Sequence, residues 1–196
     1  MTDIALFHSV LGVRPGVVAA AQRLRKAGHH VHVIDQYDGR VFTDYVEADR
    51  FTQEIGYPVL MDAAARAVSA LPDGFIAAGF SNGGGMAEFV ATQRRVGGVL
   101  MLSGTLPLSM LGASSWPTDT PAQIHYTAQD PFRQQAWIDD VADSIRASGS
   151  VVDVFDYPGS GHLFTDASLR EEFQAADAEQ LWKRVLAFAP LRPSVP

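Results

Sequence analysis

The chain has 196 residues, 47% hydrophobic and 19% charged, which is enough for one sizeable core and short for two ordinary domains. Its net charge of −7 argues against a general nucleic-acid binder, which needs Lys and Arg to neutralise phosphates. With no cysteine it excludes disulfides, thiolate metal sites and a thiol nucleophile, and it fits a reducing compartment.

Only Met1-Thr2-Asp3 precedes the first apolar run, residues 4–7, so no secretory leader is expected. No stretch approaches the ~18 apolar residues of a membrane span. The expectation is a cytoplasmic protein with no membrane partner. Residues 4–7 read as a buried strand. Pro15 then suits the first turn of a helix that carries Val17, Val18, Ala21 and Leu24 on one face and stops at Gly28. A strand over 31–34 leads into a long connection, 36–56, and a helix over 58–71. A strand over 75–79 runs through a glycine-rich turn into a helix over 83–95. Next come a strand over 99–102, a second long connection over 103–121, a strand over 124–127 and a helix over 132–148. A strand over 151–155 and a helix over 168–188 complete the series. This alternation predicts an α/β domain, a mostly parallel sheet with helices on both faces. No linker or repeat divides the chain, so residues 1–190 read as one domain and 191–196, with two prolines, as a frayed tail. Both long connections leave the carboxyl ends of strands, where open α/β sheets bind ligands.

The turn after the third strand is Gly79-Phe80-Ser81-Asn82-Gly83. A Ser set between a buried strand and a helix, with glycines two residues to either side, matches a nucleophile elbow. The following helix would aim the Asn82 N–H and a positive dipole end at an oxyanion on Ser81. The competing reading is a glycine-rich helix cap. A phosphate loop is disfavoured, since no Lys or Arg follows the glycines.

A Ser nucleophile needs a base, and the base needs an orienting partner. His32 and His125 fall in strand patterns and His29 and His30 at a turn, so these four read as structural; His8, ending the first strand, is a minor candidate. His162 lies in the flexible Pro158-Gly159-Ser160-Gly161-His162 loop after the last strand and is the expected base. Asp130 follows the fifth strand, and Pro131 disfavours helix there. An N-cap would explain Asp130 alone, but the order Ser, Asp, His after successive strands is that of a hydrolase triad.

These motifs resemble the dienelactone hydrolase family of α/β-hydrolases. The likeness runs from His8-Ser9-Val10-Leu11-Gly12-Val13 through the elbow and Asp130 to Tyr157-Pro158-Gly159-Ser160-Gly161-His162-Leu163-Phe164, with Ala175-Ala176-Asp177-Ala178 and Trp182 in the final helix. The resemblance implies Ser81 as nucleophile, Asp130 as acid, His162 as base, and the backbone N–H groups of Val10 and Asn82 as oxyanion hole. It also implies a minimal sheet of six strands in the order 2-1-3-4-5-6, without the leading hairpin of larger relatives or a lid domain. Founding members of the family use Cys at the Ser81 position, Glu at that of Ser9 and Arg at that of Asp166. Serine chemistry makes the Glu dispensable. Loss of the Arg removes a partner for a substrate carboxylate, so a serine carboxylesterase is expected rather than a true dienelactone hydrolase. Expected substrate contacts are Ser9, Leu11, Tyr37, Trp116 and Asp166, with Leu106, Leu108, Met110, Leu111 and Phe42 as further wall candidates. The expected substrate is a small ester, lactone or thioester, with no cofactor and no metal. The alternatives are an amidase or acyltransferase using the same triad, and a non-catalytic binding protein on the same fold.

Overall fold

The computed structural model describes residues 2–189; the expected tail, 191–196, lies outside the described residues. In chain order the elements are β1 (Asp3–Phe7), α1 (Pro15–Lys26), β2 (His30–Ile34), α2 (Tyr45–Ile55), α3 (Tyr57–Ala67), β3 (Ile76–Phe80) and α4 (Asn82–Gln93). Then follow β4 (Gly98–Leu102), a short 3₁₀ turn (Leu108–Leu111), β5 (Ala122–Thr127), α5 (Gln135–Ala147), β6 (Val152–Tyr157) and α6 (Ala175–Phe188). The six strands form one sheet in the order β2-β1-β3-β4-β5-β6, as expected, and every pairing is parallel.

Alternation along the strands feeds two cores. Ala5, Phe7, Ala77, Val99, Met101 and Ile124 face one side, packed with Leu60 and Ala64 of α3, Met86 and Val90 of α4, and Ile138 and Val141 of α5. Ile4, Leu6, Ile76, Ala78, Leu100 and Leu102 face the other, against Val17, Ala21 and Leu24 of α1 and Leu181, Trp182 and Val185 of α6. Both faces are covered, which is why these strands read as continuous apolar runs. Each wholly buried side chain such as Leu6 or Leu100 contributes ~1.5–3 kcal/mol.

Three departures from expectation shape the site. The connection over 36–56 is not all loop, because α2 occupies its second half. Its N-cap Asp44 accepts the Glu47 N–H at 2.8 Å, and Ala48 and Thr52 are its buried positions. Helix α5 starts at Gln135 rather than 132, because the Asp130 carboxylate takes the Phe132 N–H at 2.8 Å and holds a turn there. Helix α6 starts at Ala175 rather than 168 for a similar reason: Asp166 accepts the Ser168 N–H at 2.9 Å, and turns continue to Phe173.

Candidate active site

Strand β3 delivers Ser81, whose N–H donates to Leu102 O of β4 at 2.8 Å. At Ser81 the backbone turns to φ 52°, ψ −119°. L side chains rarely adopt this region, and holding it costs ~1–3 kcal/mol. The turn leaves no space for β-carbons beside it. A Cβ on Gly79 would fall on the Gly83 carbonyl, and one on Gly83 would strike the Phe7 and His8 carbonyls. The two glycines let α4 sit directly over β1 and β3.

Above Ser81 stands His162, with Nε2 2.8 Å from Ser81 Oγ and Nδ1 2.7 Å from Asp130 Oδ2. His162 and Asp130 are both buried. An ionised carboxylate only accepts, so Nδ1 carries the proton and Nε2 keeps a lone pair toward the Ser81 hydroxyl. The second Asp130 oxygen takes the Phe132 N–H. Asp130 is therefore not a helix cap: the N-cap of α5 is Gln134, with no side-chain bond.

The His162 loop is anchored on both sides. Thr127 Oγ1 donates to Gly161 O at 2.9 Å, and the Leu163 N–H donates to Glu172 Oε2 at 2.7 Å. Glu172 also accepts from the Tyr45 hydroxyl at 2.9 Å, which brings the start of α2 to the site. Burial, reinforced by the Glu172 charge, pushes the Tyr45 phenol far up. The rings of Phe132 and Tyr45 stand edge-on to His162, with centroids 4.7 and 6.0 Å away.

His8 is not placed to be the base. Its Nδ1 donates to Ser9 O at 2.6 Å and its Nε2 accepts the Gln36 N–H at 3.0 Å, so both nitrogens are committed. Burial lowers its pKa. His125 is buried between Tyr157 and Gln123, and desolvation pulls it down to about 3. His32 pairs with Asp3, at 2.8 Å from its carboxylate.

Ser81 and His162 open onto a cavity of about 350 Å³. Val10 and Asn82 line it beside them, and neither backbone N–H makes a main-chain hydrogen bond among the described residues. The remaining wall comprises Tyr45 and Asp49 of α2, Tyr57 of α3, residues 103–106, Tyr126 of β5, and Pro131, Phe132, Gln134 and Trp137 around the start of α5. Burial pushes the Tyr126 phenol up to about 12.

The expected substrate contacts lie elsewhere. The Ser9 hydroxyl is turned inward, accepting the Leu11 N–H at 3.2 Å, and Leu11 itself is core. The Tyr37 hydroxyl is bonded to Thr52 at 2.8 Å, and its ring packs on His8. Trp116 is buried, its indole N–H donating to Thr120 O at 2.7 Å, just before the amino-terminal end of β5. Asp166 faces Arg14 at 3.3 Å, not the cavity. Of the other wall candidates only Leu106 lines the cavity; Leu108 and Leu111 are core, Phe42 packs on it, and Met110 is exposed. Sequence reasoning missed Tyr45, Asp49, Tyr57, Tyr126, Phe132 and Trp137. The Asp44-x-x-Glu47 capping pattern was the one local signal that would have raised α2 and its residues. Among the described residues there is no cluster able to hold a metal ion, and no helix is long and apolar enough to cross a membrane.

Residues 2–190 match the model of the dienelactone hydrolase family. The structure superimposes on a dienelactone hydrolase-like promiscuous phosphotriesterase from metagenomic libraries with TM-score 0.81 and 22% identity, over 94% of this chain and 84% of that one. For a dienelactone hydrolase from Anabaena variabilis the values are 0.63 and 18%, over 94% and 83%. For an acetyl ester-xyloside bifunctional hydrolase from Caldicellulosiruptor lactoaceticus they are 0.66 and 16%, over 97% and 85%. At these identities the structural likenesses show the fold. No curated protein matches the chain. The chain belongs to the dienelactone hydrolase family, and that membership supports a hydrolase.

Proposed function

We propose that this member of the dienelactone hydrolase family is a serine carboxylesterase acting on a small ester, lactone or thioester through an acyl-enzyme. The reading is carried by one observation: Ser81 Oγ, His162 and Asp130 form an unbroken hydrogen-bonded chain of 2.8 and 2.7 Å at a strained strand-to-helix turn that opens on a cavity.

Attack forms the bond from Ser81 Oγ to the carbonyl carbon as the hydroxyl proton passes to His162 Nε2. The carbonyl π pair moves onto oxygen, where the Val10 and Asn82 amides and the N-terminal end of α4 meet the charge. Asp130 stabilises the imidazolium. Collapse restores the carbonyl and expels the alcohol or thiol, which takes the proton from Nε2. Water then repeats both steps and releases the acid. No Lys or Arg lines the cavity among the described residues, so a free carboxylate on the substrate finds no partner, and neutral short-chain esters should outrun an anionic lactone.

A fluorophosphonate probe together with p-nitrophenyl acetate tests the reading. Wild type should label at Ser81 and turn over the ester, and Ser81→Ala should do neither. A wild type that neither labels nor hydrolyses any of a panel of esters and lactones would be a binding protein on a hydrolase fold.

A further inference from the structure

We propose that the cavity selects esters bearing an ammonium group, which Asp49 and the rings of Tyr45, Tyr57 and Trp137 would hold. This rests on the esterase reading and adds a substrate class to it.

The rings of Tyr45, Tyr57, Tyr126, Phe132 and Trp137 line the cavity, and the one carboxylate among its lining residues is that of Asp49. That carboxylate has no cationic partner among the described residues; its Oδ2 accepts only the neutral Gln53 amide at 2.6 Å. No described guanidinium, that of the neighbouring Arg50 included, lies within ion-pair distance of it. Arg14 is paired with Asp166, Arg133 with Asp156, and Arg40 lies over the Phe51 ring. Asp49 is close enough that its field adds to burial in pushing the Tyr57 phenol up.

Aromatic faces attract a cation through their quadrupoles, and they attract it more strongly beside an unneutralised carboxylate. The net charge of −7 draws cations toward the molecule as well. Tyr57 and Trp137 are only partly covered by protein, so their surfaces are free for a ligand. Tyr126 is left out of the set because Arg133 lies 5.6 Å over its ring. A neutral sugar could stack on the same rings but would be indifferent to the Asp49 charge. A carbon isostere of the ammonium group separates the two.

The test compares acetylthiocholine with 3,3-dimethylbutyl thioacetate, which replaces N⁺ by carbon. The released thiol is read with a thiol reagent that finds no cysteine in the protein. Asp49 is exposed, so screening keeps the effect moderate. At low salt kcat/KM should favour the cation by about 10-fold, the sum of one cation–π contact and one exposed ion pair. Asp49→Asn should bring that ratio most of the way to unity, and added salt should do the same. A wild-type ratio of one or less, or a ratio unmoved in Asp49→Asn, overturns the proposal.

Calorimetry with choline and 3,3-dimethylbutanol gives the same comparison without turnover. Tighter, Asp49-dependent binding of choline supports the cation site even if neither thioester is cleaved. Equal binding overturns it. Absence of both hydrolysis and fluorophosphonate labelling counts against the esterase reading alone.

Discussion

Asp166→Arg installs the residue that the family resemblance places four positions past His162, and sequence reasoning alone would expect a better grip on a substrate carboxylate. The structure predicts damage instead. Asp166 is 5% exposed and Arg14 8%. The Asp166 carboxylate holds Arg14 Nε at 3.3 Å and accepts from the Ser168 N–H at 2.9 Å and hydroxyl at 2.6 Å. Removing one partner of a buried pair costs ~3–5 kcal/mol. Arg14 keeps bonds to Phe42 O at 2.9 Å and Ser168 Oγ at 3.0 Å, which places the truncation Asp166→Ala at the low end. Arginine adds like-charge repulsion and bulk where the Asp166 side chain already fills the space that a β-carbon on Gly16 would take, so its loss is ~4–5 kcal/mol. At ~2–4 °C per kcal/mol for a chain of 196 residues, Tm should fall by ~8–20 °C. The double change Arg14→Met/Asp166→Leu, which leaves no orphan charge, should lose much less. The pair also ties the segment after Val10 to the segment after His162, so kcat on a neutral ester should fall too. Thermal denaturation, with kcat/KM on a neutral ester and on a lactone carrying a carboxylate, checks both parts. Unchanged stability, or a gain on the anionic lactone, would refute the reasoning.

Ser81→Ala should lower kcat by at least ~10³, and Ser81→Ala/His162→Ala should be little worse than either single change. Full additivity in steady-state assays would show that the two do not act as a unit. Glu88→Gln should stabilise the protein increasingly as pH rises. Glu88 is fully buried, one oxygen accepting the Leu106 N–H at 2.9 Å, and burial pushes its carboxyl well above the ordinary 4.5. The unfolded chain therefore ionises first, and wild-type stability falls as pH climbs above about 4.5. Urea denaturation at pH 5 and pH 8 should show the gap between the proteins widening, and a constant gap counts against the idea. His125 works in the opposite direction. Its folded pKa of about 3 lies below the ordinary 6.5, so its contribution is complete above 6.5 and is lost as pH falls toward 3. His125→Gln should flatten the acid limb of a Tm-versus-pH curve, and an unchanged limb would assign acid lability to other groups.

The strand–helix alternation, the elbow and the Ser81, Asp130, His162 order are legible in sequence because each rests on local chemistry. Buried parallel strands must be apolar on both faces. A turn as tight as that at Ser81 must have glycine at 79 and 83. Pro131 keeps Asp130 out of the helix whatever packs around it. Helix α2 was equally local, announced by Asp44 and Glu47, but it is short and its apolar face is interrupted by polar residues. The late starts of α5 and α6 were harder. They depend on Asp130 and Asp166 turning their carboxylates back onto the main chain, and nothing in composition separates that from an ordinary N-cap.

The cavity wall is another matter. Tyr37 and Tyr45 sit in the same connection, yet one is bonded to Thr52 in the core and the other stands beside His162. Trp116 and Trp137 divide in the same way, one buried beyond the amino-terminal end of β5 and one lining the cavity. Asp166 pairs with Arg14 across the fold, while Asp49 has only the neutral Gln53 amide as side-chain partner among the described residues. By itself the sequence determined which atoms would meet at Ser81, because backbone conformation and strand order bring them together. Only the tertiary structure decided what surrounds those atoms, because whether a ring or carboxylate faces cavity, core or counter-ion depends on elements distant in the chain packing against one another.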